Sequence, residues 1–114
     1  MKKVLLSLFV LAGMLTTNAQ IETPAPSPAQ KITQKVGLTE VTVDYSRPSM
    51  RGRTIFGGLE QYENIWRTGA NARTKITFSS DVTINGNSLA KGTYAIFTKP
   101  GETAWDIYFY TESK

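Results

Sequence analysis

Lys75-Ile-Thr-Phe-Ser-Ser-Asp-Val-Thr-Ile-Asn-Gly-Asn-Ser-Leu-Ala-Lys-Gly-Thr-Tyr-Ala-Ile-Phe-Thr-Lys-Pro-Gly101 decides the fold. Ile76 and Phe78 point one way, as do Val82 and Ile84, and Asn85-Gly86 between short runs is a strong hairpin signal. Lys91-Gly92 then bends the chain into a longer run, in which Tyr94, Ile96 and Thr98 oppose Ala95 and Phe97. Pro100-Gly101 turns again, and Trp105, Ile107 and Phe109 alternate with Asp106, Tyr108 and Tyr110. Period-two alternation, short runs and closely spaced turns, with no long helical period, predict an all-β protein. The architecture expected is an antiparallel β-sandwich or a partly open barrel.

Upstream the same pattern holds. Ile32, Gln34 and Val36 share a face, Gly37-Leu38-Thr39 turns, and Val41, Val43 and Tyr45 alternate with Thr42, Asp44 and Ser46. Pro48 lacks an amide donor and pushes Arg47 toward an extended conformation, so this strand ends with Arg47 at its tip. Between it and Lys75 the chain is irregular. Thr54-Ile-Phe56 is read as a brief pairing segment, Leu59 to Asn64 as at most one helical turn, and Ile65-Trp-Arg67 as a short extended piece. In the Thr68–Asn71 turn, Gly69 and Asn71 are the residue types that best accept positive φ.

The N-terminus belongs to targeting and not to the fold. Lys2 and Lys3 precede an apolar run from Val4 to Leu15, and Thr17-Asn-Ala19 supplies small residues for cleavage before Gln20. This is the pattern of a secretory signal peptide over 1–19. About 12 apolar residues fall short of the roughly 20 that span a bilayer, so no membrane span is expected in the mature chain. Residues 20–30, with three prolines in Thr23-Pro-Ala-Pro-Ser-Pro28, read as an extended lead-in, and 31–114 as one β-domain. The chain stops four residues after an aromatic strand with no closing turn, and the expectation is of further strands downstream.

Composition narrows the chemistry. Removing Lys2 and Lys3 lowers the formal net charge of +4 to about +2, too little for a nucleic-acid partner without a basic stripe. The chain has no cysteine and no histidine. Disulfides, cysteine nucleophiles, Ser-His-Asp catalysis and ordinary zinc sites are therefore excluded within it. No residue pattern implies a cofactor or a metal. Asp81, Asn85 and Asn87 lack the calcium-loop spacing, and nothing pairs Asp44 with Asp106 as two glycosidase carboxylates would require.

One chemical concentration remains. Arg47, Arg51, Arg53, Arg67 and Arg73, the only arginines, all lie between the end of one strand and the start of the next. Guanidinium forks suit carboxylate or phosphate, and the candidate anion-binding set is Arg47, Arg53, Arg67, Thr68 and Asn71, with Tyr45 and Trp66 as aromatic contacts. Backbone amides at Thr68–Asn71 would add an anion-binding nest. The competing account is structural: the same arginines pair with Asp44, Glu60, Glu63 and Asp81 to pin the loop. Trp66 and Trp105 have two readings as well, sugar platforms or core residues.

Three functions follow. The first is a non-catalytic module binding an anionic small molecule or glycan through the arginine loop. The second is a hydrolase of envelope or glycan material with catalytic groups partly downstream, and the third a structural module of an envelope assembly.

Tyr45-Ser-Arg-Pro48, Gly52-Arg53, Ile65-Trp-Arg-Thr-Gly-Ala-Asn71 and Gly92-Thr-Tyr94 carry a family likeness. From about Ser27 to the end, the chain resembles the exported bacterial proteins grouped as domain of unknown function 2911. The resemblance implies a secreted, β-rich protein with no established activity and relatives of greater length. An acidic residue often follows the asparagine in that pattern. Here it is Ala72, so no acid–base role carries over to this position.

Overall fold

The computed structural model describes residues 18–112. The expected signal peptide lies almost wholly outside the described residues. Seven strands run in order: β1 (Ala29–Val36), β2 (Thr39–Ser46), β3 (Lys75–Phe78), β4 (Val82–Ile84), β5 (Asn87–Leu89), β6 (Gly92–Pro100) and β7 (Trp105–Thr111). Five of them form one antiparallel sheet ordered β1-β2-β3-β6-β7, and β4-β5 form a separate hairpin. There is no helix and no closed barrel among the described residues, and the fold is all-β and sandwich-like. β1 starts at Ala29, inside the segment read as lead-in.

Register explains the two faces of the sheet. Ile32 opposes Val43, Val43 opposes Ile76, Ile76 opposes Tyr94, Ile96 opposes Phe109, and Pro100 opposes Trp105. These alternate positions make one apolar face. The intervening positions carry Lys31, Thr33, Thr42, Thr77, Thr93 and Lys99. Their hydroxyls pair across strands, Thr33 with Thr42 at 3.1 Å and Thr77 with Thr93 at 2.8 Å.

The tightest packing lies at the sheet centre. Phe78, Tyr94 and Ala95 are buried, and Tyr94 packs at a tilt against Phe78, centroids 6.2 Å apart, and edge to face with Phe109 at 6.3 Å. Its hydroxyl donates to the Ala90 carbonyl at 2.6 Å, which ties the end of the β4-β5 hairpin to the core. Asn85 and Gly86 both have positive φ, 48° and 80°, as the hairpin signal predicts for a two-residue turn.

Arg47 to Thr74 connects β2 to β3 and is stitched to β6. Trp66 exchanges backbone hydrogen bonds with Thr98, at 2.7 and 2.9 Å, and the Glu63 amide donates to the Pro100 carbonyl at 2.8 Å. The extended reading of Ile65-Trp-Arg67 is thus realised as a bridge beside β6 that prolongs the sheet past Lys75, where β3 begins. The helical turn expected near Leu59–Asn64 does not form. The Leu59 and Glu60 amides reach back to the Thr54 and Ile55 carbonyls, closing a wider loop, and Phe56 pairs with Glu60. Phe56, Trp66 and Trp105 pack edge to face, with centroids 5.0–6.2 Å apart, over the end of β6.

Candidate functional site

Pro48 ends β2, and the chain turns at once. Arg51 and Gly52 both have positive φ, 52° and 68°, and the Arg53 amide closes the turn on the Met50 carbonyl. The Arg53 side chain folds over this turn, with Nε donating to the Met50 carbonyl at 3.0 Å and an Nη to the Ser49 carbonyl at 2.9 Å. Among the described residues its remaining guanidinium hydrogens meet no protein acceptor. Arg67 follows the Trp66 bridge, and its Nε donates to the Gly69 carbonyl at 3.3 Å.

These two arginines line one cleft of about 360 Å³. Met50, Ile55, Leu59 and Trp66 give it apolar walls, and Glu60 is its one carboxylate. The volume lies within the usual range of small-molecule clefts. Arg47 lines a neighbouring depression with Pro28 and shares only Pro48 and Ser49 with the cleft. The three arginines therefore do not meet at one point: Arg53 and Arg67 come together and Arg47 stands beside them.

Thr68 and Asn71 serve the turn from behind. Thr68 has φ 62°, uncommon for a β-branched residue. Its hydroxyl donates to the Trp66 carbonyl at 3.2 Å and lies 2.9 Å from the Thr98 hydroxyl, and its carbonyl accepts from Thr74 Oγ1 at 2.9 Å. Asn71 has φ 59° and donates to the Ser27 carbonyl at 3.4 Å. Sequence reasoning favoured Gly69 and Asn71 for positive φ; Asn71 has it, whereas the other position is Thr68 and not Gly69. Gly69 is needed for close approach instead, because a Cβ there would lie 2.7 Å from Thr74 Oγ1. The Ala70 amide is spent on the Ser46 carbonyl at 3.2 Å, which leaves less of the expected backbone nest. Tyr45 is half-buried on the sheet and its hydroxyl donates to Gln30 Oε1 at 3.1 Å.

The ion pairs lie elsewhere. Lys99 Nζ is 3.1 Å from Asp106 and 3.9 Å from Glu63. The Asp106 hydrogen bond is the main reason the Lys99 pKa is raised, with Tyr108 next. Glu112 takes Arg73 at 3.5 Å and Lys75 at 3.8 Å, and Asp81 accepts from the Lys91 amide at 2.8 Å. Among the described residues, Arg47, Arg53 and Arg67 have no carboxylate within 4.0 Å. The pairing with Asp44, Glu60, Glu63 and Asp81 is absent there. No group of three or more acidic side chains could hold a metal among these residues.

The sequence profile of the family described as "Protein of unknown function (DUF2911)" matches residues 27–114. The chain belongs to that family. Membership covers all seven strands and the arginine loop of this DUF2911 protein. No curated protein and no solved structure matches it. Sequence reasoning missed the cleft walls Met50, Ile55 and Leu59. The available signal was three large apolar residues in a loop with no strand to bury them.

Proposed function

We propose that this DUF2911 protein is an exported binding module whose loop cleft takes the anionic group of a small molecule or glycan. One observation carries the reading: Arg53 and Arg67 line a single cleft beside Trp66, and among the described residues neither has a carboxylate within 4.0 Å, Glu60 on the cleft wall included. Two like charges held together repel, and an incoming carboxylate or phosphate relieves that repulsion while gaining charge-assisted hydrogen bonds. Met50, Leu59 and Trp66 favour a ligand with an apolar or ring-shaped body next to its charge. Export rests on the residue pattern of 1–19. A hydrolase has less behind it, since Glu60 is the one carboxylate lining the cleft and two-carboxylate glycoside hydrolysis needs a second.

The test is a thermal-shift screen of acidic sugars, phosphates and peptide carboxylates on wild type and Arg67→Ala. A ligand at ten times its Kd adds about 1.4 kcal/mol, which is a rise of about 6–11 °C for a domain of this size. That rise is expected in wild type and not in the variant, whose unliganded Tm stays near wild type. A wild type that responds to none of the three classes rejects the reading, and a large loss of Tm in unliganded Arg67→Ala assigns the arginine to the fold instead.

A further inference from the structure

The cleft of Arg53 and Arg67 carries charge of both signs, and an anion alone would satisfy only one of them. Glu60 lines the same cleft as the two arginines. Its place is set by the main chain: its amide donates to the Ile55 carbonyl at 2.8 Å, and its carbonyl accepts from the Gly57 amide at 2.9 Å. The residue is half-buried, and among the described residues its carboxylate has no lysine or arginine nitrogen within 4.0 Å. Opposite charges on the walls of one cleft are thus held apart instead of pairing across it.

The arginines are anchored from behind. Arg53 commits Nε and Nη2 to the Met50 and Ser49 carbonyls, and Arg67 commits Nε to the Gly69 carbonyl. Neutral carbonyls hold the guanidiniums without cancelling their charge, and each guanidinium keeps Nη hydrogens for another acceptor. The rest of the cleft is apolar and left open by the fold. Met50 and Leu59 are 61% and 54% exposed, and Ile55 and Trp66 complete the wall.

We propose that the ligand of this cleft is a zwitterion with an apolar body: an amino acid or short peptide whose carboxylate lies on Arg53 and Arg67 and whose ammonium lies on Glu60. This rests on the anion-binding function proposed above and names the ligand within it. Charge selects the class. A carboxylate offers about four lone-pair sites, enough for both guanidiniums. A phosphate dianion would satisfy the arginines but meet the Glu60 carboxylate within a cleft of about 360 Å³, and like charges brought together cost affinity. A cation alone would meet two guanidiniums. An ammonium beside a carboxylate removes both conflicts, because each ligand charge meets its opposite. The apolar walls then take the side chain, with an aromatic ring packing on Trp66 and the Met50 thioether. The volume is at the small end of ligand clefts, which suits one or two residues.

Titration calorimetry of wild type and Glu60→Gln at low ionic strength tests it, with phenylalanine, alanylphenylalanine, N-acetylphenylalanine and phenylalaninamide as probes. The acetyl compound keeps the carboxylate and loses the charge on nitrogen, and the amide does the reverse. In wild type at least one of the two zwitterions should bind about tenfold or more tighter than either, the size of one charge-assisted hydrogen bond. Alanylphenylalanine moves the ammonium outward by one residue, so its rank against phenylalanine tells a peptide source from a free amino acid. In Glu60→Gln the zwitterion should weaken by a similar factor, while N-acetylphenylalanine binds as well or tighter because a repelling charge is gone. Opposite responses in one variant cannot come from a damaged fold. The proposal is overturned if N-acetylphenylalanine matches both zwitterions in wild type, an outcome that leaves the anion site standing. It is overturned equally if Glu60→Gln leaves the zwitterion unchanged, or weakens zwitterion and acetyl compound alike, which assigns Glu60 to the loop. It is overturned too if no zwitterion binds, and binding of N-acetylphenylalanine then decides whether the anion site survives.

Discussion

Gly69→Ala probes how the arginine turn is held. The new methyl would lie 2.7 Å from Thr74 Oγ1 and 3.4 Å from the Ser46 carbonyl, and Thr74 is 4% exposed, with little room to retreat. Overpacking of this kind costs about 1–3 kcal/mol. Pushing the hydroxyl away also breaks its bond to the Thr68 carbonyl, a loss of about 1 kcal/mol. The expected destabilisation is therefore about 2–4 kcal/mol. Thr74→Ala alone leaves that carbonyl without its donor, at about 1–3 kcal/mol. In the double variant the obstructing oxygen is gone and the methyl added to Gly69 fills part of the space, so its stability should lie close to that of Thr74→Ala. Urea unfolding of the four proteins measures the coupling, with equal slopes confirming that the same surface is exposed each time. A coupling of at least about 1.5 kcal/mol is expected. Additivity within about 0.5 kcal/mol would refute the close approach as the reason for glycine at this position.

Two further outcomes are expected. Asp106→Asn should return the Lys99 pKa from its raised value toward the ordinary 10.5, read by NMR titration of the side chain. Because the folded pKa is raised, the stabilisation by Asp106 is complete at neutral pH and is lost as pH rises through that value, so wild type and variant should converge in stability only in strong alkali. A Lys99 pKa unchanged by the substitution would show that Asp106 is not its main partner. Mass spectrometry of the exported protein should find Gln20 at its N-terminus, and Met1 retained in that fraction would dismiss the targeting role of residues 1–19.

The strands were legible because each needs only a local signal. Val41, Val43 and Tyr45, or Trp105, Ile107 and Phe109, show their shared face by alternation alone, and Asn85-Gly86 names its turn by conformational preference. The arginine loop was legible as a concentration of charge but not as a shape. Whether Arg47 joins Arg53 and Arg67 depends on where Trp66 docks, and Trp66 docks on Thr98, which no local pattern can report. The exchange of roles between Thr68 and Gly69 has the same origin. Glycine best accepts positive φ, but the nearness of Thr74 claims the residue without a Cβ, and Thr68 takes the left-handed position under hydrogen bonds from Thr74 and beside Thr98. Glu60, read among the possible partners of the arginines, lines the cleft without an ion pair to Arg53 or Arg67, a matter of direction across a turn that residue type does not report.

The stitching of Glu63 and Trp66 onto Pro100 and Thr98 also sets an order of events. The loop is translated before the strand that receives it, so it has no docking surface until β6 has been made and has joined β3. Closing so long a segment requires non-local contacts, which form slowly and late. Trp66 should therefore reach its native fluorescence after the β1-β2 hairpin has formed, and until then Arg53 and Arg67 ride on an open loop without the cleft that brings them together.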